Sequence, residues 1–254
     1  MDIRVLLFCA AILLAGAFFF FLGLRNWRWK RLIENTPTSK IRGLAMGLVE
    51  ICGSVTKPLK KYLKSPFTGK DCVYYEYQIQ ELRSNGKQTY WATISSGTDS
   101  VPFYLNDKTA AVLVEPQGAT INVPHTYNSQ TSSFKQVPDK VKSFCAARNI
   151  STQSWFFGMS KSMKFVERSL PAGETVYIMG TAGDNPYVEE ATAQKGVEDV
   201  MIQKGKNVPF YYITQGTEKD ALKQFAWKVY GGLFGGAAMV IVGLVGIFFY
   251  FGVL

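Results

Sequence analysis

Residues 229–254 read VYGGLFGGAAMVIVGLVGIFFYFGVL, 26 positions without one charged side chain. At ~1.5 Å rise per residue, about 20 apolar residues cross a ~30 Å hydrocarbon layer, so this run is long enough to span with some tilt. In hydrocarbon, only a helix satisfies a lone backbone of this kind. A buried core helix is the alternative, and the uncharged length argues against it. The stretch predicts a transmembrane helix over Val229–Leu254.

Working outward, Val5–Leu24 is a second uncharged run, of 20 residues. Its place at the N-terminus makes a secretory signal peptide the competing reading. Three features oppose cleavage. The run exceeds the usual ~7–15 residues of a signal core, only Arg4 precedes it, and Arg25, Arg28, Lys30 and Arg31 follow at once. A retained anchor over residues 5–24 is expected. The intervening Arg25–Lys228 spans 204 residues, enough for one domain with a substantial core or two small ones.

The formal charge of +9 lies in that middle part and is unevenly spread. Residues 25–64 hold ten Lys/Arg against Glu34 and Glu50, a net of +8, whereas residues 65–228 hold 17 basic and 16 acidic side chains. A nucleic-acid-binding face spread over a domain would not look like this, so no nucleic-acid partner is expected. Basic residues beside spans stay in the cytoplasm. Arg25, Arg28, Lys30 and Arg31 flank the first span, and Lys219, Lys223 and Lys228 precede the second. Both sets belong to the central domain, and no basic flank is expected beyond Leu254. The expectation is a cytoplasmic domain, with both termini outside the cell membrane. Trp27, Trp29, Trp227 and Tyr230 fall where interfacial aromatic belts belong.

Cys9 lies inside the first span, leaving Cys52, Cys72 and Cys145 as an odd, widely spaced set with no disulfide framework. That agrees with a reducing compartment. Asn149-Ile150-Ser151 matches a glycosylation sequon, which would be silent on the cytoplasmic side.

Within the domain, Pro37 ends any continuation of the first helix, and Thr38 or Ser39 is placed to cap a short helix before Gly43. Strand character begins at Met46. In Cys72–Leu82, Val73, Tyr75, Tyr77 and Ile79 share one face, and Glu76, Gln78 and Gln80 the other. Ser84-Asn85-Gly86 predicts a hairpin turn into Gln88–Ser95. Val101–Leu105 pairs with Ala111–Val114, and Ala119–Val123 is a further strand. His125–Val137 is polar and weakly patterned, Pro138–Arg148 suits an amphipathic helix, and Lys164–Arg168, Thr175–Thr181 and Val208–Thr214 resume strand character. Gly183–Gly205 reads as a long acidic loop. Thr217-Glu218-Lys219-Asp220 caps a helix that can run through Trp227 into the second span. The fold class is α+β and mainly β. About eight short strands form an antiparallel domain, barrel-like or sandwich, between two transmembrane helices.

Gly47-Leu48-Val49-Glu50-Ile51-Cys52-Gly53, Ser65-Pro66-Phe67-Thr68-Gly69 and Cys72-Val73-Tyr74-Tyr75 form an ordered series of short motifs. Pro102-Phe103-Tyr104-Leu105 with Asp107 and Val112-Leu113-Val114 with Pro116, Gly118 and Ala119 continue it, as do Glu167, Leu170-Pro171-Ala172-Gly173 and Val176-Tyr177-Ile178-Met179-Gly180. In this order, over roughly Pro37–Lys219 and between two spans, the series resembles the GIDE-type "beside-a-membrane" (BAM) domain. The best-known members are mitochondrial ubiquitin ligases in which a zinc-binding RING follows the second span. A RING needs eight Cys/His ligands in paired spacing, and this sequence has four Cys, one His and no CxxC. The resemblance is therefore to a RING-less, prokaryotic relative, without the ligase chemistry. Physically the motif glycines (Gly47, Gly53, Gly69, Gly118, Gly180) supply turns or close backbone approach.

Candidate chemistry is sparse. His125, the only histidine, has a turn-like setting and no inferable partner, so a structural or surface role is expected over a base for Ser or Cys. Asp184, Glu189, Glu190, Glu198 and Asp199 fit no calcium loop. No catalytic residue, metal site or cofactor is expected. Gly231, Gly232, Gly235 and Gly236 permit close helix approach, either to Ala11 and Ala15 of the first span or to a second copy. Lys57, Lys60, Lys61 and Lys64 recur at helical spacing with Leu59 and Leu63 between them. With Arg25, Arg28, Lys30 and Arg31 they suit anionic lipid head groups, or else an orientation signal and a solvated face. The leading expectation is an adaptor or scaffold beside the bilayer, with an unidentified membrane or cytoplasmic protein as partner. The alternatives are an accessory subunit of a separate ubiquitin-like ligase or stress-response enzyme, and a Ser/Cys hydrolase using His125.

Overall fold

The structure, a computed structural model, describes residues 3–131, 137–151, 162–188, 199–206 and 210–252. The chain divides into two compact units, Met1–Pro37 with Thr217–Leu254, and Thr38–Gly216.

The first unit is a pair of antiparallel helices. α1 (Ile3–Asn35) is one unbroken helix. The second helix has three parts: α3 (Glu218–Tyr230), a π-helical turn (Gly231–Gly235) and α4 (Gly236–Tyr250); α2 lies in the other unit. The predicted cap is present, with the Asp220 carboxylate accepting from the Thr217 N–H (2.8 Å) and hydroxyl (2.9 Å). Both helices are long and apolar enough to cross a membrane, with mean hydropathy of 2.8 and 2.3 over their most apolar windows.

The second unit carries thirteen strands among the described residues. In chain order these are β1 (Gly47–Pro58), β2 (Leu63–Lys64), β3 (Asp71–Cys72), β4 (Tyr74–Ser84), β5 (Thr89–Ser100), β6 (Phe103–Asn106) and β7 (Ala111–Val114). Then come β8 (Thr120–Asn122), β9 (His125–Gln130), the helix α2 (Asp139–Ala146), β10 (Met163–Leu170), β11 (Thr175–Asp184), β12 (Val200–Gln203) and β13 (Tyr212–Gln215). Five of the strands close on one another in the order β1-β6-β7-β12-β11, because β11 pairs with both β12 and β1. Of the two expected architectures, the barrel-like one is realised. Period-two alternation fills it: Val49, Ile51 and Val55 from β1 meet Phe103, Leu105, Val112, Val114, Val176 and Ile178 inside. At Gly53 an added Cβ would lie 2.6 Å from the Asn106 carbonyl oxygen, so only glycine lets β1 approach β6 there. β13 pairs with the first half of β11, and β8 with β13.

β5-β4-β10-β9 form a separate antiparallel sheet. Its hairpin turns at Gly86 (φ +85°), and the Asn85 side chain accepts from the Lys87 and Gln88 N–H groups. One face of this sheet, with Tyr77, Ile79, Met163 and Phe165, packs with Val141 and Cys145 of α2 and with Phe67.

Several expectations need correction. The strands outnumber the eight read from sequence, and β12–β7 and β13–β8 are parallel pairs. Gly183–Gly205 is not one loop: β11 runs on to Asp184, and Val200–Gln203 is β12, while 189–198 lie outside the described residues. The strand expected over Val208–Thr214 is Tyr212–Gln215, and residues 207–209 are likewise undescribed. His125–Gln130 is a strand, held by β10 despite its polar composition. The short helix is a 3-10 turn over Ile41–Gly43, and Thr38 does not cap it. Instead Thr38 donates its hydroxyl to the Glu50 carboxylate (2.7 Å).

Candidate functional site

Glycine positions the two helices of the first unit. An added Cβ on Gly232 would come within 2.7 Å of Gly23 Cα, and one on Gly236 within 2.5 Å of the Phe20 nitrogen. Gly16 and Gly23, not Ala11 and Ala15, are thus the small residues of α1 at the crossing. Gly231 and Gly235 face open space. The four glycines expected to act together therefore split, two packing inward and two outward.

The basic residues after the first span extend α1 itself. Lys30 pairs with Glu34 one turn on, and the Arg31 guanidinium lies 5.4 Å above the Trp27 ring. Of the aromatics expected at the interface, Trp27, Trp227 and Tyr230 are 43%, 81% and 54% exposed, and Trp29 is half-buried.

Lys57, Lys60, Lys61 and Lys64 do not share a helix face, because the chain there is the end of β1, a turn and β2. Their helical spacing is a coincidence of sequence. Lys57 stacks over Tyr104 (5.6 Å) and Lys64 pairs with Asp71 (2.8 Å). Lys60 and Lys61 flank a groove of about 290 Å³ whose floor is apolar, with Leu59, Tyr62, Val101 and Pro102.

Two buried carboxylates organise the domain around the motif residues. Glu167 of β10 is fully buried and accepts from the Phe67 N–H (2.5 Å) and from the Thr68 N–H (3.3 Å) and hydroxyl (2.8 Å). The Ser65–Lys70 loop is thereby pinned over the sheet, and Gly69 (φ +67°) turns it back. Phe67 then enters an aromatic cluster with Tyr77, Tyr127, Phe144 and Phe165, ring centroids 5.4–6.0 Å apart. Glu50, also fully buried, accepts from Tyr177 (2.8 Å) as well as Thr38. Alternation along β1 sets Glu50 on the face opposite Val49 and Ile51, so it reads as a surface residue, whereas along β10 it sets Glu167 on the face of Met163 and Phe165, which with the family-like motif signals its burial.

His125 lines a shallow polar groove on the open face of the β5-β4-β10-β9 sheet, beside Glu76, Lys164 and Arg168, with no Ser or Cys among the lining residues. Burial pushes the Cys72 thiol up to about 12, helped by the nearby negative charges of Glu167 and Asp71. Burial also raises Cys145, and Cys52 is raised by burial and then by Glu50. Such thiols are poor nucleophiles. Asp184 and Asp199 flank the β11–β12 connection; Glu189, Glu190 and Glu198 lie outside the described residues. Among the described residues no group of three or more His, Cys, Asp or Glu side chains is placed to hold a metal ion. Asn149 of the sequon sits in the left-handed region (φ +56°), just after α2.

No curated protein and no solved structure gives a significant match to the chain. A family model described as "GIDE: E3 Ubiquitin ligase" matches residues 73–248, more than half of the sequence. The match runs from Val73, just before β4, through the barrel strands β6, β7, β11 and β12 and into the second apolar helix, and leaves β1, the Ser65–Lys70 loop and the first apolar helix outside it. This chain is a membrane protein that belongs to the GIDE family.

Proposed function

We propose that this chain holds its GIDE domain against the cytoplasmic face of a membrane, tethered through both ends, as a non-catalytic adaptor. The observation that carries the proposal is how the domain uses its reactive groups. Its buried carboxylates are consumed in holding loops and strands, its buried thiols are kept protonated, and its histidine stands on an open sheet face. A family described by ubiquitin ligation supplies a partner class: the adaptor would recruit a separate transferase. These 254 residues carry four Cys and one His, fewer than the eight ligands of a RING.

The orientation and the span limits, residues 5–24 and 229–254, belong to the same proposal. They rest on the basic residues that flank both spans on the domain side. Protease added to inverted vesicles should digest the domain, and right-side-out vesicles should protect it; the reverse pattern refutes the orientation. In-membrane crosslinking should return a saturable protein partner even when His125 is replaced by Ala. If His125→Ala instead abolished a measured hydrolysis, the adaptor reading would be wrong.

A further inference from the structure

The helical pair encloses a notch of about 340 Å³, built within that unit alone. One wall is a single face of α1, where Trp27, Lys30 and Arg31 follow at i, i+3 and i+4, with Glu34 one turn beyond. The opposite wall is Tyr230, Leu233 and Phe234, across the π-helical turn. π-Helical turns are often found at functional sites. Here the turn accompanies a stacked Tyr230–Phe234 pair with centroids 6.1 Å apart.

Charge and polarity are graded along the notch. Lys30 is neutralised by Glu34, whereas Arg31 rests on Trp27 and has no acidic partner among the described residues. The notch therefore carries one uncompensated positive charge, on a planar group suited to two oxygens at once. Below Trp27, on the same α1 face, come Leu24 and Phe20, 37% and 38% exposed, and across from them Phe234 is 71% exposed. A cation above an open apolar channel, where the charge-free runs end, is shaped for an amphiphile rather than a free anion.

We propose that this notch binds one anionic phospholipid. Its phosphate lies on Arg31 with Lys30 as second donor, and one acyl chain runs past Leu24, Phe20 and Phe234. The proposal rests on the membrane reading above and narrows it from a diffuse basic surface to a single site.

The test uses the full chain in nanodiscs of equal phosphatidylglycerol and phosphatidylcholine, released gently and weighed intact by native mass spectrometry. The wild type should retain one phosphatidylglycerol at least fivefold over phosphatidylcholine. Arg31→Gln should bring that ratio to about one, and Arg31→Lys to an intermediate value. Arg25→Gln removes the same charge roughly 160° around the helix from Trp27 and should leave the ratio unchanged. Equal loss in Arg31→Gln and Arg25→Gln, or no enrichment in the wild type, overturns the site. Displacement of the bound lipid by millimolar inorganic phosphate would show a free-anion site and overturn it too. Failure of the membrane reading is distinct: the wild-type chain would then leave the membrane on carbonate extraction.

Discussion

The helical pair and the β domain pack with opposite residues. In the helices the close contacts are made by Gly16, Gly23, Gly232 and Gly236, and large side chains such as Phe21 (68% exposed) and Phe249 (65%) point away. In the domain Phe67, Phe103 and Phe165 are buried, and glycine serves turns and tight strand crossings. The surrounding solvent explains the inversion. Lipid tails are as apolar as Phe or Leu, so burying such side chains between two membrane helices gains little, and small residues win by admitting backbone contact. In water, burying a Phe stabilises by about 1.5–3 kcal/mol.

The sharpest way to break this comparison is one substitution made in both places. Phe67→Ala empties the centre of the aromatic cluster and should cost about 3–5 kcal/mol of domain stability in denaturant unfolding followed by circular dichroism. Phe21→Ala in detergent or bilayer should stay within about 0.5 kcal/mol. Comparable losses would mean that the helices bury their phenylalanines against a further protein surface.

Next in size is Glu167→Ala. It leaves the buried Phe67 N–H and the half-buried Thr68 N–H without their acceptor, and bonds to a charged group are worth about 1.5–3 kcal/mol. Domain stability should fall by a similar amount, and Glu167→Gln, which keeps one acceptor, by less. If Glu167→Ala were neutral, the Ser65–Lys70 loop would be held by Phe67 packing alone.

These two residues also show what a sequence discloses. The uncharged runs, the Asn85-Gly86 hairpin and the helix over 139–146 are local features, legible because their causes lie within a few neighbours. β12 was hidden because four residues in an acidic stretch become a strand only by pairing with β11 across the connection and with β7, far away in sequence. The lysines at 57, 60, 61 and 64 misled for the converse reason, since a helical period appeared where β1 ends against β6 and β2 pairs with β3. Glu167 shares its β10 face with Met163 and Phe165, so alternation hints at its burial, but its partners are set by a loop about 100 residues earlier. The notch on the helical pair was half legible. Trp27, Lys30 and Arg31 were named from sequence, but the opposing Leu233 and Phe234 depend on the antiparallel crossing.

A smaller effect separates neighbouring glycines. Gly236→Val must push against the Phe20 backbone and should widen the helix pair, read as a longer spin-label distance between α1 and α4. Gly235→Val meets open space and should leave that distance unchanged. If Gly235→Val instead altered the oligomeric state, that face would be the contact for a second copy.

The smallest effect is a pH dependence centred on Asp107 of the domain. Burial pushes the Asp107 carboxyl up from 3.8, but bonds from the Thr109 hydroxyl and the Ile41, Thr109 and Ala110 N–H groups outweigh it and hold it at about 2. A carboxylate whose folded value is depressed adds stability that is fully present above its unfolded value. That contribution fades as pH falls from about 4 towards 2, where the folded state also protonates. Asp107→Asn should therefore lower the melting temperature modestly at neutral pH and flatten its decline between pH 4 and 2. In the helical unit the Thr217 N–H and hydroxyl likewise lower the exposed Asp220 carboxyl, but it caps only the first turn of α3, and the charge-free runs hold no carboxylate, so their helicity should hold across the same range. Loss of helicity in step with the domain would tie the two regions together more closely than their chemistry requires.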